Sequence, residues 1–187
     1  MSLPPILREM PDHLESARLL IRSPQPGDGA EVHAGIVESL DELRPWMPWA
    51  QIEQSAADVE ANVRLALADF IARRDLRLHL YLRDGGGFVG SSGLHRIDWA
   101  VPRFEIGYWV RTSMAGQGFA TEATRRIADF AFDELDAERV EIWCDARNER
   151  SAAVATRAGF TFEARLHGNR IGADGVLSDS LCFARLK

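Results

Sequence analysis

Residues 103–135 constrain the fold more tightly than any other stretch of this sequence. RFEIGYWVR at 103–111 alternates: Phe104, Ile106, Tyr108 and Val110 share one face, and Arg103, Glu105, Trp109 and Arg111 the other. That period of two is the signature of a β-strand. Gly107 in mid-strand marks a bulge or a close backbone approach. A glycine-bearing connection follows, and then Ala120, Ala123, Ile127, Phe130, Ala131 and Leu135 recur at helical spacing. Residues 139–146 again read as a strand. Strand, helix, strand over this length predicts a parallel pair joined by a crossover helix.

The other elements follow from the same periodicities. Residues 18–22 form a short strand, broken by Pro24, Pro26 and Gly27; Asp28 then opens a helix through about Glu38. Pro45 and Pro48 make Leu40–Gln51 a loop, which carries Trp46 and Trp49. Ser55 and Asp58 read as a capping box for a helix over 56–73. Strands at 77–83 and 88–96 flank the Gly85-Gly86-Gly87 turn as a hairpin. A short helix spans 148–158, and two strands close the chain at 160–168 and 176–185. The order is βααβββαβαββ, a mixed α/β arrangement in one domain over 1–187.

Charge and cysteine usage exclude several functions. A net charge of −6 disfavours non-specific nucleic-acid binding, which depends on Lys and Arg at phosphates, and suits a cationic amine or a basic protein. Cys144 and Cys182 sit among apolar residues and read as buried free thiols. His13, His33, His79, His95 and His167 have no metal-ligand spacing, so no metal is expected. No apolar run is long enough to span a membrane, and the opening MSLPPILREMPDHLES lacks the order of a signal peptide. A cytoplasmic protein is the expectation.

The connection TSMAGQGFAT at 112–121 has the physics of an anion cradle. The first amides of a helix have no intrahelical acceptor, and the helix dipole favours negative charge beside them. Gly116 and Gly118 let backbone approach a diphosphate without a Cβ in the way. By itself a G-x-G serves equally as a plain strand–helix turn. It is not a Walker loop, because no Gly-Lys-Ser/Thr is present, and Thr121 stands where a G-x-G-x-x-G would close.

The wider pattern is more specific. Glu105-Ile106-Gly107-Tyr108-Trp109, then Gly116-Gln117-Gly118-Phe119-Ala120-Thr121-Glu122-Ala123, then Asn148 and Ser151, then Gly159-Phe160, resemble the RimJ/RimL-type branch of the GNAT N-acetyltransferases. The R-L-x-L/I-R strand and the W-x-P-W loop resemble that branch too, so the likeness covers most of the chain. One position departs: Ala115 stands where the family usually has Arg or Gln.

The resemblance implies a mixed, mostly antiparallel sheet of about seven strands, flanked by about four helices, with one parallel pair splayed to hold acetyl-CoA. It places pantetheine beside Trp109 and Val110, and pyrophosphate on the amides of Gly116, Gln117, Gly118, Phe119, Ala120 and Thr121. Asn148 would bond the pantetheine amides. The amine attacks the thioester directly, without a metal or a covalent enzyme intermediate.

Glu105 is the candidate proton acceptor; the alternative is an ion pair with Arg103 or Arg125. Ser151 is the candidate donor to the departing thiolate, because Ala155 occupies the place where many GNAT enzymes carry a Tyr; the alternative is a helix cap. Trp46, Trp49 and Tyr108 are candidates for the acceptor side or, alternatively, for the core.

Three functions fit. The acceptor is a protein N-terminal α-amine, or it is a small molecule such as an amino acid, polyamine or antibiotic, or the chain is a CoA-binding module without catalysis. Glu105 and the intact 116–121 loop favour catalysis. An α-amine, with a pKa of about 8 against about 10.4 for Lys, suits a site with one modest base. The amine acceptor is the expected partner; nucleic acid and membrane are not, and a homodimer is left open.

Overall fold

The computed structural model describes residues 4–187; Met1–Leu3, the start of the N-terminal stretch read above, lie outside the described residues. The chain runs β1 His13–Glu15, β2 Leu19–Arg22, α1 Gly29–Leu43, α2 Ala56–Ile71, β3 Leu76–Leu82, β4 Phe88–Asp98, β5 Arg103–Val110, α3 Phe119–Glu134, β6 Arg139–Asp145, α4 Glu149–Arg157, β7 Thr161–Ile171 and β8 Leu177–Leu186. The strands form one sheet in the order β1-β2-β3-β4-β5-β6-β8-β7. Every neighbouring pair is antiparallel except β5–β6, which is parallel, as the crossover through α3 demands.

Eight strands stand where about seven were expected. The addition is β1, three residues with only Leu14 buried, too short to show a period of two. α1 continues through Leu43, beyond the expected Glu38, because Pro45 bars only the residues after it from extending the helix. Pro48 then opens a single 3₁₀ turn, Pro48–Gln51, at a position where its missing N–H costs nothing.

Helices cover both faces of the sheet. α3 lays Ala123, Ile127, Ala128, Phe130 and Ala131 against Phe104 and Ile106 of β5 and the leucines of β3. On the opposite face α1 and α2 set Val32, Ile36, Val59 and Val63 against Tyr81 and Phe88. α2 starts on the expected capping box, with Asp58 N–H donating to Ser55 Oγ and Ser55 N–H to Asp58 Oδ2. Truncating Ile127, which is fully buried, costs about 2–5 kcal/mol.

Candidate active site

The two parallel strands stay together for only three rungs: Arg103 with Arg139, Phe104 with Val140 and Glu105 with Glu141. Beyond them β5 follows β4 as far as Val110 opposite Gly90, while β6 follows β8 as far as Asp145 opposite Ser180. The pair therefore parts into a wedge. Along Ile106–Val110, one edge of β5 has no strand partner, and its amides and carbonyls are open to an extended ligand.

The glycine loop sits at the mouth of this wedge, pinned on both sides. From α1, Glu38 accepts from Arg111 and from Ser113 N–H at 2.8 Å, and Ser39 Oγ accepts from Thr112 N–H at 3.0 Å. The Ser113 hydrogen bonds and the Arg111 guanidinium bring the Glu38 carboxyl down to about 2. From the other side, Glu122 in the first turn of α3 accepts from Ser16 Oγ at 2.7 Å and from Arg18 N–H and Nε. Arg18 also donates to Gln117 O and lies 4.3 Å over the Phe119 ring. This role of Glu122 escaped the sequence reading, although the residue belongs to the motif.

Between the anchors, Gly116 and Gly118 have φ of 75° and 85°, in the left-handed region, and no protein atom lies within 4 Å of a Cβ built on Gly116. The first helical bond of α3 is Glu122 N–H to Gly118 O. The amides of Phe119, Ala120 and Thr121 thus have no intrahelical acceptor, and no side chain caps the helix. The residues fit a diphosphate: glycine backbone, free amides and the positive end of a helix dipole.

On the α3/α4 side of the wedge, Tyr108 reaches across from β5 to α4. Its hydroxyl donates to Ser151 O at 3.0 Å and lies 2.9 Å from Ser151 Oγ. Burial pushes the phenol up to about 12, against the pull of the Ser151 bond, so it stays protonated. Ser151 is not the helix cap. Asn148 is, with Oδ1 accepting from Ser151 N–H at 3.0 Å. Asn148 caps the helix through Oδ1 alone, and its Nδ2 takes no part in that bond. Ala155 is fully buried, so that face of α4 belongs to the core.

On the α1/α2 side, three rows of residues cross the sheet: Glu105 opposite His95, Gly107 opposite Gly93 opposite Arg77, and Trp109 opposite Ser91 opposite His79. The middle row holds two glycines, and above it opens a cleft of ≈320 Å³. Val32, Ile36, Val59, Val63, Trp49 and Trp109 supply its apolar wall; Arg77, His79, His95, Ser91 and Asn62 supply polar groups. Trp49 and Trp109 stand 6.1 Å apart. Trp46, half-buried, does not line the cleft, whereas Met47 does. Tyr108 contributes to the lining, but its hydroxyl is turned toward α4.

Glu105 is mostly buried, and burial raises its carboxyl above the ordinary range against the opposing pull of Arg96 and His95. Its ion partner is Arg96, at 2.8 Å, rather than Arg103 or Arg125. His79 Nδ1 lies 3.0 Å from Asp28, which Arg22 also grips through two hydrogen bonds. Burial lowers the His79 pKa despite Asp28. No sequence signal marked His79, His95 or Arg77, because their partners lie up to 51 residues away.

A mixed sheet with a splayed parallel pair, a glycine loop opening a crossover helix and a cleft on the far side of the same strand defines an acyl-CoA-dependent transferase fold. The chain matches the acetyltransferase (GNAT) domain over residues 18–161 and belongs to that family; it is an N-acetyltransferase with acetyl-CoA as donor. It is 28% identical over 173 residues to YdaF of Bacillus subtilis (strain 168), which carries the name ribosomal N-acetyltransferase, covering 90% of this chain and 91% of the other. The ribosomal-protein-serine acetyltransferase of Escherichia coli (strain K12) is 27% identical over 125 residues, 65% of this chain and 66% of the other. These relatives support the RimJ/RimL-like branch.

RimL, the ribosomal L7/L12 α-N-protein acetyltransferase solved with coenzyme A, shares the fold at a TM-score of 0.86 and 20% identity, covering 93% of this chain and 97% of its own. The microcin C7 self-immunity acetyltransferase MccE, solved with acetyl-CoA and AMP, does so at 0.86 and 23%, covering 92% and 94%. Among the described residues no helix is long and apolar enough to cross a membrane.

Proposed function

We propose that this enzyme acetylates the N-terminal α-amine of a protein or peptide in the cytoplasm, by direct attack of the amine on the thioester. The observation that carries this reading is the glycine-floored cleft, which opens beside the point where β5 and β6 part. A chain terminus can enter along the apolar wall and bring its amine to the thioester from the face opposite α3. Arg77 in the lining disfavours a fixed cation and so favours an amine that gives up its proton readily. An α-amine does so at a pKa of about 8, a lysine at about 10.4.

In this reading the unpaired edge of β5 at Trp109 and Val110 holds pantetheine, and the amides from Gly116 to Thr121 hold the pyrophosphate. Glu105 takes up the amine proton, directly or through water. Ser151, oriented by Tyr108, hydrogen-bonds the departing sulfur, and Asn148 orders the start of α4 beneath it. A small amine bearing a carboxylate is the second reading, which Arg77 favours: its guanidinium bonds only Asn62 among the hydrogen bonds described.

An acceptor screen with acetyl-CoA tests the proposal, reading CoA release and product mass. Peptides with free N-termini should be acetylated on the α-amine, and N-blocked peptides containing lysine should not. Exclusive ε-acetylation would overturn the proposal, and exclusive turnover of amino acids would select the second reading.

A further inference from the structure

The cleft holds an imidazole that the reading above does not use. His95 Nδ1 lies 2.7 Å from Asp75 Oδ2, on the loop before β3. A carboxylate only accepts, so the neutral ring must carry its proton on Nδ1 and leave a lone pair on Nε2. That edge of the ring lies over the glycine floor. A Cβ built on Gly107 would stand 3.2 Å from His95 Cδ2 and 3.5 Å from Nε2; one built on Gly93 would stand 3.1 Å from Cε1. The two glycines thus make room for the Nε2 edge of His95 in the cleft.

The neighbouring carboxylate is engaged elsewhere. The β4–β5 register shifts after His95, and Arg96 takes a left-handed φ of 46°. Such strain is stored where surrounding structure insists on it. Here the irregularity lets Arg96 reach Glu105, whose oxygen it binds at 2.8 Å. Glu105 is thus ion-paired and is not among the residues that line the cleft, whereas His95 lines it, with Nδ1 held by Asp75. The charged groups around His95 are Asp75 from the loop, Glu105 on β5, Arg96 on β4 and Arg77 on β3.

We propose that His95 is the immediate proton acceptor for the incoming amine, with Asp75 as its positioning residue and Glu105 as the second carboxylate that stabilises the imidazolium. This deepens the proposed function and rests on it. The α-ammonium passes one proton to His95 Nε2, and the freed nitrogen lone pair forms the N–C bond to the thioester carbonyl. The C–S bond breaks with its electron pair on sulfur. The second nitrogen proton reaches that sulfur to give CoA thiol, and His95 returns its proton to water. The products are the N-acetyl amine, CoA and one proton.

Transfer kinetics on a free-N-terminal peptide, run over about pH 6 to 9, test the assignment. His95→Asn keeps a donor for Asp75 but removes Nε2. It should lower kcat by roughly 10²–10⁴-fold, the loss narrowing as pH rises because more of the amine is then already neutral, with CoA affinity unchanged. Asp75→Asn, which no longer fixes the tautomer, should lower kcat with the same pH signature. Combining His95→Asn with Glu105→Gln should lose no more than the worse single change, because the two act as a unit.

A folded His95→Asn enzyme within about threefold of wild-type kcat across that pH range overturns the assignment. If the variant does not fold, ¹⁵N NMR of the wild-type imidazole decides: a proton on Nδ1 with Nε2 bare supports it, and the reverse tautomer overturns it. If the wild-type enzyme transfers acetyl to no amine, the functional reading itself fails. If wild type transfers and His95→Asn matches it, this assignment alone fails.

Discussion

The two faces of β5 are built in different ways. The face toward α3 and α4 carries Phe104, Ile106, Tyr108 and Val110, and the glycine loop proposed for the donor continues from this strand into α3 without a break in the chain. The face toward α1 and α2 carries Glu105, Gly107 and Trp109, and its cleft draws residues from two helices, three strands and a loop. One side has a local device at its centre, shaped by the left-handed Gly116 and Gly118 and pinned by Glu38, Ser39 and Arg18. The other is a long-range assembly held by partly buried polar contacts, such as the Asp28–Arg22 ion pair and the Asp28–His79 hydrogen bond. A local device that binds backbone to a diphosphate can be shared across a family, while an assembled cleft can change acceptor residue by residue.

If the faces divide the work in this way, changes on one should leave the other's measurements alone. Glu105→Gln, on the acceptor face, should lower kcat by roughly 10²–10⁴-fold. The loss should narrow as pH rises, because more of the amine is then already neutral. CoA affinity by calorimetry should not move, and a parallel fall in both would show that the faces are not separable.

The second change tests how the cleft is held. Burial works against ionisation of Asp28, but His79, Arg22 and Gln25 N–H together keep its carboxyl well below the usual range. The folded pKa is thus lower than the unfolded one. Asp28 stabilises the fold above about pH 4, and that contribution is lost as pH falls through the folded value. Asp28→Asn should cost about 3 kcal/mol near neutrality, and its deficit should shrink on acidification. Thermal melts from neutral to acid pH would show it; a constant deficit at all pH values would remove ionisation from the explanation.

Gly118→Val probes the donor device. Forcing a β-branched residue into a left-handed φ costs about 1–3 kcal/mol, so CoA should bind roughly 10–100-fold more weakly. The acceptor KM should stay near wild type, while the melting temperature falls by about 2–10 °C, because the strain is carried by the fold whether or not CoA is bound. The smallest effect belongs to Tyr108→Phe, which removes the hydroxyl from Ser151. Losing about 1 kcal/mol of orientation should slow kcat by about fivefold. Adding Ser151→Ala to it should cost little more, and full additivity would mean that the two hydroxyls act independently.

These differences in construction decide what could be read from the chain alone. The strand at 103–110, the loop glycines and the helix after them were legible because each depends on neighbours in sequence. Ser151 and Tyr108 were both marked, yet their contact was not, since 43 residues separate them. The sequence left Ser151 as a donor or a cap, and the fold assigns the cap to Asn148, three residues earlier. Ala155 stands where many GNAT enzymes carry a Tyr. Its full burial shows that Ala155→Tyr would overpack the core instead of restoring a donor.

By itself the sequence determined the order of the elements after β1, the parallel pair, the glycine loop that opens α3 and the family, because periodicity, glycine conformation and short motifs act over a few residues. Only the tertiary structure decided which side chains share the acceptor cleft. His79 meets Asp28 across 51 positions and His95 meets Asp75 across 20, and the glycine floor exists only once β3, β4 and β5 are in register. Contacts of that kind arise from packing the sheet between its helices, and no local pattern encodes them.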